Sequence, residues 1–158
     1  MIFVTVGSQK FQFNRLLKQM DILIAEKEVT EEVFAQIGAS DYRPKFYSFK
    51  EFLDKDEFEQ RIDNCDLVIT HGGTGTIITA VKKGKKVIAS PRLTSYGEHV
   101  DDHQLQLLRQ FDELEIIEVC ENLDKLIECI EEAKRKVYRK YRSNTTMILK
   151  SIEYFLEH

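Results

Sequence analysis

The fold of this chain is decided by the stretch Asp66-Leu67-Val68-Ile69-Thr70-His71-Gly72-Gly73-Thr74-Gly75-Thr76. After the aspartate comes a short apolar run, which is typical of a strand buried on both faces of a parallel sheet. The glycines and threonines that follow indicate a tight turn. Ile77, Ile78 and Val81 then have the spacing of a helix that ends near Gly84. The stretch therefore predicts a strand, a glycine turn and a helix in direct succession.

The same alternation of strands and helices extends over the chain. Apolar or β-branched runs predict further strands over residues 2–6, 33–37, 45–49, 86–89 and 115–119. Helical spacing predicts helices over 14–26, 51–64 and 99–111, and from the N-cap Asn122 towards the end of the chain. This alternation indicates an α/β fold, a parallel sheet with helices on both faces. We expect one domain over 1–158, with a core over about 1–120 and a helical segment over about 122–157.

Composition and charge exclude several classes of protein. The 158 residues suffice for one domain with a substantial core. The 23 Lys and Arg residues are outnumbered by 27 Asp and Glu residues, and the net charge of −4 argues against a nucleic-acid partner. The three cysteines lack CxxC spacing, so we expect neither a disulfide framework nor a zinc site. The apolar runs are far shorter than the roughly 20 residues that cross a bilayer, and we expect a cytoplasmic protein.

Two glycine turns stand where a parallel sheet binds ligands. Gly7 and Ser8 follow the first predicted strand, and residues 71–76 follow the strand that begins at Leu67. Helix N-termini at the carboxyl ends of strands present N–H groups and a positive dipole end, and the Thr74 and Thr76 hydroxyls add donors suited to a diphosphate. The alternative is that the glycines only turn the chain and the threonines cap a helix. The absence of a Walker A motif, and of GxGxxG after the first strand, argues against an ATPase or a dehydrogenase.

A second polar cluster stands at a predicted helix start and reads Glu98-His99-Val100-Asp101-Asp102-His103-Gln104. His99 and His103 have the i, i+4 spacing of metal ligands. Val100 occupies the position at which the metalloprotease motif has a glutamate, so we expect no metal. Residues 102–104 are better suited to hydrogen bonds with sugar hydroxyls or a diphosphate, the alternative being a helix cap in solvent.

Two further features leave alternatives open. His71 follows a buried strand and precedes a glycine turn, so it is either a core histidine or a functional group. The run Lys134-Arg135-Lys136, continued by Arg139, Lys140 and Arg142, is either a solvated helix face or a docking surface for an acidic partner or an anionic membrane.

The order of these motifs carries a resemblance to a known family. The motifs are, in chain order, Phe3-Val4-Thr5-Val6-Gly7-Ser8, the stretch 66–77, Gly84-Lys85-Lys86, Pro91 and Asp102-His103-Gln104. Together they resemble the C-terminal, nucleotide-sugar-binding half of family 28 glycosyltransferases, from Met1 to about Val119. Within that family the chain is similar to the small free-standing members. These include the catalytic subunit of the dolichol-linked N-acetylglucosaminyltransferase and, closer to the motif 98–104, bacterial subunits of capsule and exopolysaccharide synthesis.

The resemblance implies one half of a GT-B glycosyltransferase, a Rossmann-like domain that holds a UDP-sugar donor. A second, membrane-associated subunit would supply the site for a lipid-linked sugar acceptor and would bring this chain to the inner face of the membrane. The implied reaction is an inverting transfer of a hexosyl group. Fixed hydrogen-bond donors would stabilise the charge on the departing UDP, without a metal or a cofactor.

The resemblance also implies roles for individual residues. Those placed around the diphosphate are Gly7, Ser8, His71, Gly72, Gly73, Thr74, Gly75 and Thr76. His103 and Gln104 would lie near the donor sugar. Independently of the resemblance, Glu98 and His99 could reach the cleft if their loop folds over it. Thr79 stands where the family usually has an acidic residue for the ribose hydroxyls. No catalytic base is assigned, because in two-domain relatives the acceptor half supplies it.

A different class of function uses the same turns. The chain would then be a non-catalytic subunit that binds a nucleotide sugar or stabilises a membrane partner. A phosphate-binding hydrolase is disfavoured, because no pair of nucleophile and base is visible. The apolar surface that half an enzyme exposes predicts self-association of the isolated chain.

Overall fold

The computed structural model describes residues 1–8, 10–98 and 103–139. The strands are β1 (Ile2–Thr5), β2 (Val33–Gln36), β3 (Ser48–Lys50), β4 (Leu67–Thr70), β5 (Lys86–Ala89) and β6 (Glu118–Val119). The α-helices are α1 (Asn14–Ala25), α2 (Lys55–Asn64), α3 (Thr74–Lys82), α4 (His103–Glu113) and α5 (Leu126–Arg135). Short 3₁₀ turns cover Thr94–Tyr96 and Leu123–Lys125. The predicted alternation of strands and helices is confirmed.

The six strands form one parallel sheet in the order β3-β2-β1-β4-β5-β6. This is the Rossmann order, in which the chain runs outward from β1 on one side and from β4 on the other. Between β1 and β4 the loops leave towards opposite faces, and the crevice at their carboxyl ends is the usual ligand site of such sheets. Both predicted glycine turns follow these two central strands.

The helices cover the sheet in two layers, each with its own apolar core. On one face α1 and α5 pack through Leu16, Leu126 and Ile130 against Ile2 and neighbouring strand residues. On the other face α2, α3 and α4 meet the sheet in a second cluster, whose members include Ile62, Ile77, Leu108, Phe3 and Val68. All four residues of β1, β2 and β4 are buried, as expected for parallel strands covered on both sides.

Strand β3 begins three residues later than the predicted start at residue 45. The carboxylate of Asp21 on α1 accepts the backbone N–H groups of Lys45 and Phe46, at 2.9 and 3.0 Å. These groups are therefore used by a side chain instead of a strand ladder. Tyr47 follows with a buried ring whose hydroxyl donates to the Leu17 carbonyl at 2.8 Å. Regular pairing with β2 starts only at Ser48.

Helix α2 also starts later than its prediction from residue 51. The extended segment continues past β3, because the Gly38 N–H donates to the Glu51 carbonyl at 2.8 Å. Asp54 is the N-cap, and its side chain accepts the Glu57 N–H at 2.8 Å. The capping aspartate, and not the start of the polar stretch, therefore defines the helix start.

The helical spacing predicted from Asn122 towards the C-terminus holds only as far as Arg135. Lys136 is extended and Val137 is 92% exposed, so the predicted helix does not continue without a break beyond Arg135. Contacts with the β6 region fix the extended backbone instead: Tyr138 donates to the Glu118 carboxylate at 2.8 Å, and the Arg139 N–H donates to the Glu115 carbonyl at 3.0 Å. The remainder of the predicted helical segment lies outside the described residues. In the described part of the chain, no helix has the length and apolar character needed to cross a bilayer.

Candidate functional site

The two glycine turns meet around the imidazole of His71. This side chain is buried directly after β4. A Cβ added to Gly7 would lie 2.6 Å from the His71 Nε2 atom, and one added to Gly73 would lie 2.4 Å from its Cε1 atom. Gly7 also has a φ of +77°, a backbone conformation that side chains disfavour. Both glycines are thus needed because the histidine fills the space between the turns.

A row of polar side chains at the carboxyl ends of the strands supports the first turn. Gln36, Thr5 and Thr70 are register partners on β2, β1 and β4, and all three are buried. The Thr5 hydroxyl accepts the Gly7 N–H at 3.3 Å, and the Gln36 amide donates to the Gly7 carbonyl at 3.2 Å. The Thr70 hydroxyl donates to the Thr5 carbonyl at 2.9 Å. Sequence analysis missed this row, although a polar residue at the end of each apolar strand was a usable signal.

The N-terminus of α3 forms the open side of the site. The helix begins at Thr74 with Gly73 as N-cap, and its first turn carries no acidic side chain. A Cβ added to Gly75 would meet no described heavy atom within 4 Å beyond its chain neighbours and the nearby backbone of its own helix, and Gly75 itself is exposed. The first N–H groups of a helix have no partner within the helix, and they carry a partial positive charge. This end of α3 is therefore shaped and charged to bind an anion.

Thr79 lies one turn further along α3. Its hydroxyl donates to the Gly75 carbonyl at 2.9 Å. Because the hydroxyl hydrogen is used in this bond, the oxygen presents its lone pairs to the surroundings. Thr79 can therefore accept a hydrogen bond from a hydroxyl group in front of it.

A buried arginine connects the loop after β5 to the first turn. Arg92 is fully buried, and its Nη2 group donates to the Val6 carbonyl, one residue before Gly7. Burial lowers the pKa of Arg92 to about 10, while the nearby Glu98 carboxylate acts in the opposite direction. The guanidinium therefore keeps its charge at neutral pH. Arg92 was not among the residues predicted from the sequence, because nothing local marks it.

Glu98 is held inside the protein by an ion pair with Arg15. The Arg15 Nε and Nη2 groups donate to its two oxygens at 2.7 and 2.8 Å, and the Leu93 N–H donates to Oε1 at 3.0 Å. The Glu98 side chain is fully buried, whereas that of Arg15 is 25% exposed. In this arrangement the carboxylate faces Arg15 and its own loop.

The remaining predicted residues divide into two groups. Ser8 is exposed in the first turn, Gly72 and Thr74 are buried, and Thr76 is half-buried in the first turn of α3. His103 and Gln104 begin α4, and their side chains lie outside the described part, as do residues 99–102 with the candidate ligand His99. Among the described residues no group of three or more His, Cys, Asp or Glu side chains could hold a metal ion.

The described part of the basic run is largely paired within the chain. Lys134 contacts Glu31, and Arg135 and Arg139 form ion pairs at 2.7 and 2.9 Å with Glu132 and Glu115. These pairs favour the solvated helix face over a docking surface. Lys140 and Arg142 lie outside the described residues.

The amino-acid sequence of the chain matches a known protein family. The model of the glycosyltransferase family 28 C-terminal domain matches residues 1–155. The chain belongs to this family. Its six-stranded Rossmann-like sheet, with the two glycine turns at the switch point, matches one half of the GT-B glycosyltransferase fold.

Known proteins agree with this assignment. The mouse protein "UDP-N-acetylglucosamine transferase subunit ALG13" is 29% identical over 117 residues, which is 68% of this chain and 10% of the mouse protein. The chain thus spans about a tenth of the length of that relative. The NMR structure of ALG13 has a TM-score of 0.61 at 19% identity, covering 98% of this chain and 94% of that chain. The crystal structure of the glycosyltransferase SnogD from Streptomyces nogalater has a TM-score of 0.59 at 19% identity, and the match covers 99% of this chain and 39% of the SnogD chain. These two likenesses concern the fold.

Proposed function

We propose that this chain is the donor-binding subunit of a two-part glycosyltransferase, which transfers a hexosyl group from a UDP-sugar to a lipid-linked acceptor held by a membrane-associated partner. The setting would be capsule or exopolysaccharide synthesis, at the inner face of the membrane. The name of the mouse relative as a subunit of a UDP-N-acetylglucosamine transferase supports both the donor class and the need for a partner.

The observation that carries the proposal is the open position at Gly75. At Gly7 and Gly73 the structure itself requires glycine, because His71 fills the adjacent space. At Gly75, apart from its two chain neighbours and the nearby backbone of α3 itself, no described heavy atom lies within 4 Å of an added Cβ, and alanine would be the better helix former. A Cβ in a helix tilts towards the N-terminus, and here it would project into the space in front of α3. A diphosphate that approaches the backbone at this point accounts for the glycine.

The chemistry follows from that placement. The acceptor oxygen forms a bond to the anomeric carbon, while the bond from that carbon to the distal phosphate oxygen breaks and leaves its electron pair on UDP. The N–H groups and the dipole of α3 would stabilise this negative charge. The acceptor proton would go to a base on the partner subunit. Thr79 would accept a hydrogen bond from a ribose hydroxyl.

The test is a calorimetric titration of the chain with UDP-N-acetylglucosamine, UDP-glucose, UDP-galactose and UDP-glucuronate, in the presence of EDTA. We expect one of them to bind at one site, and Thr76→Ala to weaken that binding about fivefold, the effect of one lost hydrogen bond near 1 kcal/mol. Absence of binding to all four would contradict a donor site on this chain. Binding only after addition of a divalent ion would contradict the metal-independent reaction.

The burial of Glu98 favours a second candidate function. The Glu98 carboxylate is buried and engaged by Arg15, so in this arrangement it is not available to take the proton of an acceptor. This also suits an accessory subunit that binds a nucleotide sugar without taking part in transfer. Co-expression with the partner distinguishes the two: Thr76→Ala lowers turnover if this chain holds the donor in the reaction, and leaves turnover unchanged if it is an accessory.

A further inference from the structure

A cavity of about 470 Å³ lies at the amino ends of β5 and β6, on the edge of the sheet opposite to the two glycine turns. Val81 and Ile116, which are both buried, form an apolar part of its lining. Five of its ten lining residues are cationic and none is acidic, and the cations are Lys82, Lys85, Lys86, Lys136 and Arg139. The volume is in the range of small-molecule sites, roughly 300–1,000 Å³. The cavity therefore has the size of a ligand site and the charge to hold an anion.

Two lysines of the cavity are held in place by backbone carbonyls. The Lys85 Nζ atom donates to the Asp63 carbonyl, and the Lys86 Nζ atom donates to the Lys134 carbonyl, both at 2.9 Å. Both lysines are half-buried. Each of these bonds uses one of the three donors of an ammonium group. The two ammonium groups are thus fixed and partly shielded from water, which strengthens their attraction for an anion.

The positive charge around the cavity exceeds what the surrounding structure neutralises. Glu115 pairs with Arg139 at 2.9 Å, and Glu118 accepts the hydroxyl of Tyr138, a further lining residue. The C-termini of α3 and α5 also end here, and each contributes about half a negative charge. Further carboxylates nearby are matched by cations that do not line the cavity, Asp63 by Lys83, Asp66 by the N-terminal ammonium and Glu132 by Arg135. About two of the five positive charges remain without compensation.

We propose that this cavity binds the phosphate monoester of a small organic molecule. Such a phosphate carries a charge of about −1.5 to −2 at pH 7, which matches the uncompensated charge. Lys85 and Lys86 would bind its oxygens by charge-assisted hydrogen bonds. The organic group would lie against the apolar part of the lining. This inference does not depend on the proposed function, because it uses none of the residues of the donor site.

The position of the cavity distinguishes it from the donor site and argues against a membrane as its occupant. Helix α3 has nine residues and is therefore about 13 Å long. Gly75 lies in its first turn, whereas Val81 and Lys82 at its other end line the cavity. A bilayer against the cavity would lie on the far side of the sheet from the proposed donor site and away from a lipid-linked acceptor. A soluble ligand agrees with this placement.

The test is an NMR titration of the isotope-labelled full chain with phenyl phosphate. The amide signal of Gly84 reports on the cavity, and that of Gly75 reports on the N-terminus of α3. We expect phenyl phosphate to shift the Gly84 signal in a saturable manner and to bind there more tightly than inorganic phosphate, because the ring buries apolar surface. Lys86→Met should weaken this binding about tenfold, the effect of one lost charge-assisted hydrogen bond. Lys85→Met should have the same effect and serves as the second variant.

Lys83→Met is the matched control. It removes the same charge from the same run of lysines, but Lys83 pairs with Asp63 and does not line the cavity. Because that ion pair is at the surface, the control should bind phenyl phosphate within about twofold of the wild type. The thermal midpoint of each protein shows that it is folded.

Four results would overturn the inference. They are a Gly84 signal that does not respond or does not saturate, an equal loss of affinity in Lys83→Met, tighter binding of a peptide of glutamates than of phenyl phosphate at Gly84, and a shift of Gly75 alone. The last result would place the phosphate at the proposed donor site and so support the proposed function. Conversely, a saturable Gly84 shift with phenyl phosphate, together with no response of Gly75 to UDP, would contradict the proposed function and support this inference.

Discussion

The imidazole of His71 lies where a side chain at Gly73 would have to be. A Cβ added to Gly73 would be 2.4 Å from Cε1 and 2.9 Å from Nε2 of this ring. Gly73→Ala must therefore displace the histidine, and we expect it to lower the free energy of unfolding by about 1–3 kcal/mol, the usual cost of overpacking. In a His71→Ala background the same change should cost much less. Urea unfolding of the four proteins measures this coupling, and additive effects would contradict the contact.

Gly75, two residues after Gly73, differs from it because there is room for a side chain at this position. Because Gly75→Ala meets open space in a helix, we expect it to raise the free energy of unfolding by roughly 0.5–1 kcal/mol. The same methyl should weaken UDP binding at least tenfold, since it projects into the proposed diphosphate position. Thermal unfolding and UDP titration of one preparation check both effects. A stabilised variant with unchanged UDP affinity would show that the space in front of α3 is empty of ligand.

Thr79 should act as an acceptor towards the ribose. Thr79→Val keeps the branched shape and removes the hydroxyl that donates to the Gly75 carbonyl. We expect about a fivefold loss of UDP affinity, which corresponds to about 1 kcal/mol for a neutral hydrogen bond. Titration with 2′-deoxy-UDP and 3′-deoxy-UDP locates the hydroxyl: the variant should bind one of these as well as the wild type does. Equal losses for UDP and for both deoxy analogues would contradict a contact with the ribose.

The contact between Tyr42 and Asp21 predicts a change in stability at alkaline pH. The Tyr42 hydroxyl donates to the Asp21 carboxylate at 2.6 Å, and burial followed by this carboxylate raises the Tyr42 pKa from 10.0 to about 12. Since the folded state favours the protonated phenol, this contribution is complete below pH 10 and is lost as the pH rises from about 10 to 12.

Tyr42→Phe should therefore lower the free energy of unfolding at pH 8. Between pH 10 and 12 the free energy of unfolding of this variant should fall less than that of the wild type. Tyr96→Phe is the matched control, because its ring is exposed and its hydroxyl makes no hydrogen bond to a described residue. Chemical denaturation at each pH measures the slopes. Identical slopes for Tyr42→Phe and the wild type would contradict the raised pKa.

The sequence predicted those parts of the fold that are defined by neighbours along the chain. The apolar run at Leu67, the glycine turn and the helix from Thr74 are local signals, and the structure confirms them. The start of β3 could not be predicted locally, because the acceptor for Lys45 and Phe46 is a carboxylate on α1, more than twenty residues away.

The same distinction applies to the candidate site. The turns could be located from their glycines, but their nesting around His71 requires β1 and β4 to be neighbours in the sheet. The pairing of Arg15 with Glu98 spans 83 positions of sequence, and no local pattern marks it. Glu98 could thus be identified from the sequence as a notable residue, while its partner and its orientation could not.

The most direct test of the central claim compares UDP with uridine as ligands of this chain. If the N-terminus of α3 binds the diphosphate, calorimetry should show UDP binding at least tenfold more tightly than uridine at low ionic strength. Gly75→Ala should remove most of that difference and leave uridine binding unchanged. Equal affinities of the wild type for UDP and uridine, or a difference that persists in Gly75→Ala, would contradict the diphosphate site proposed here.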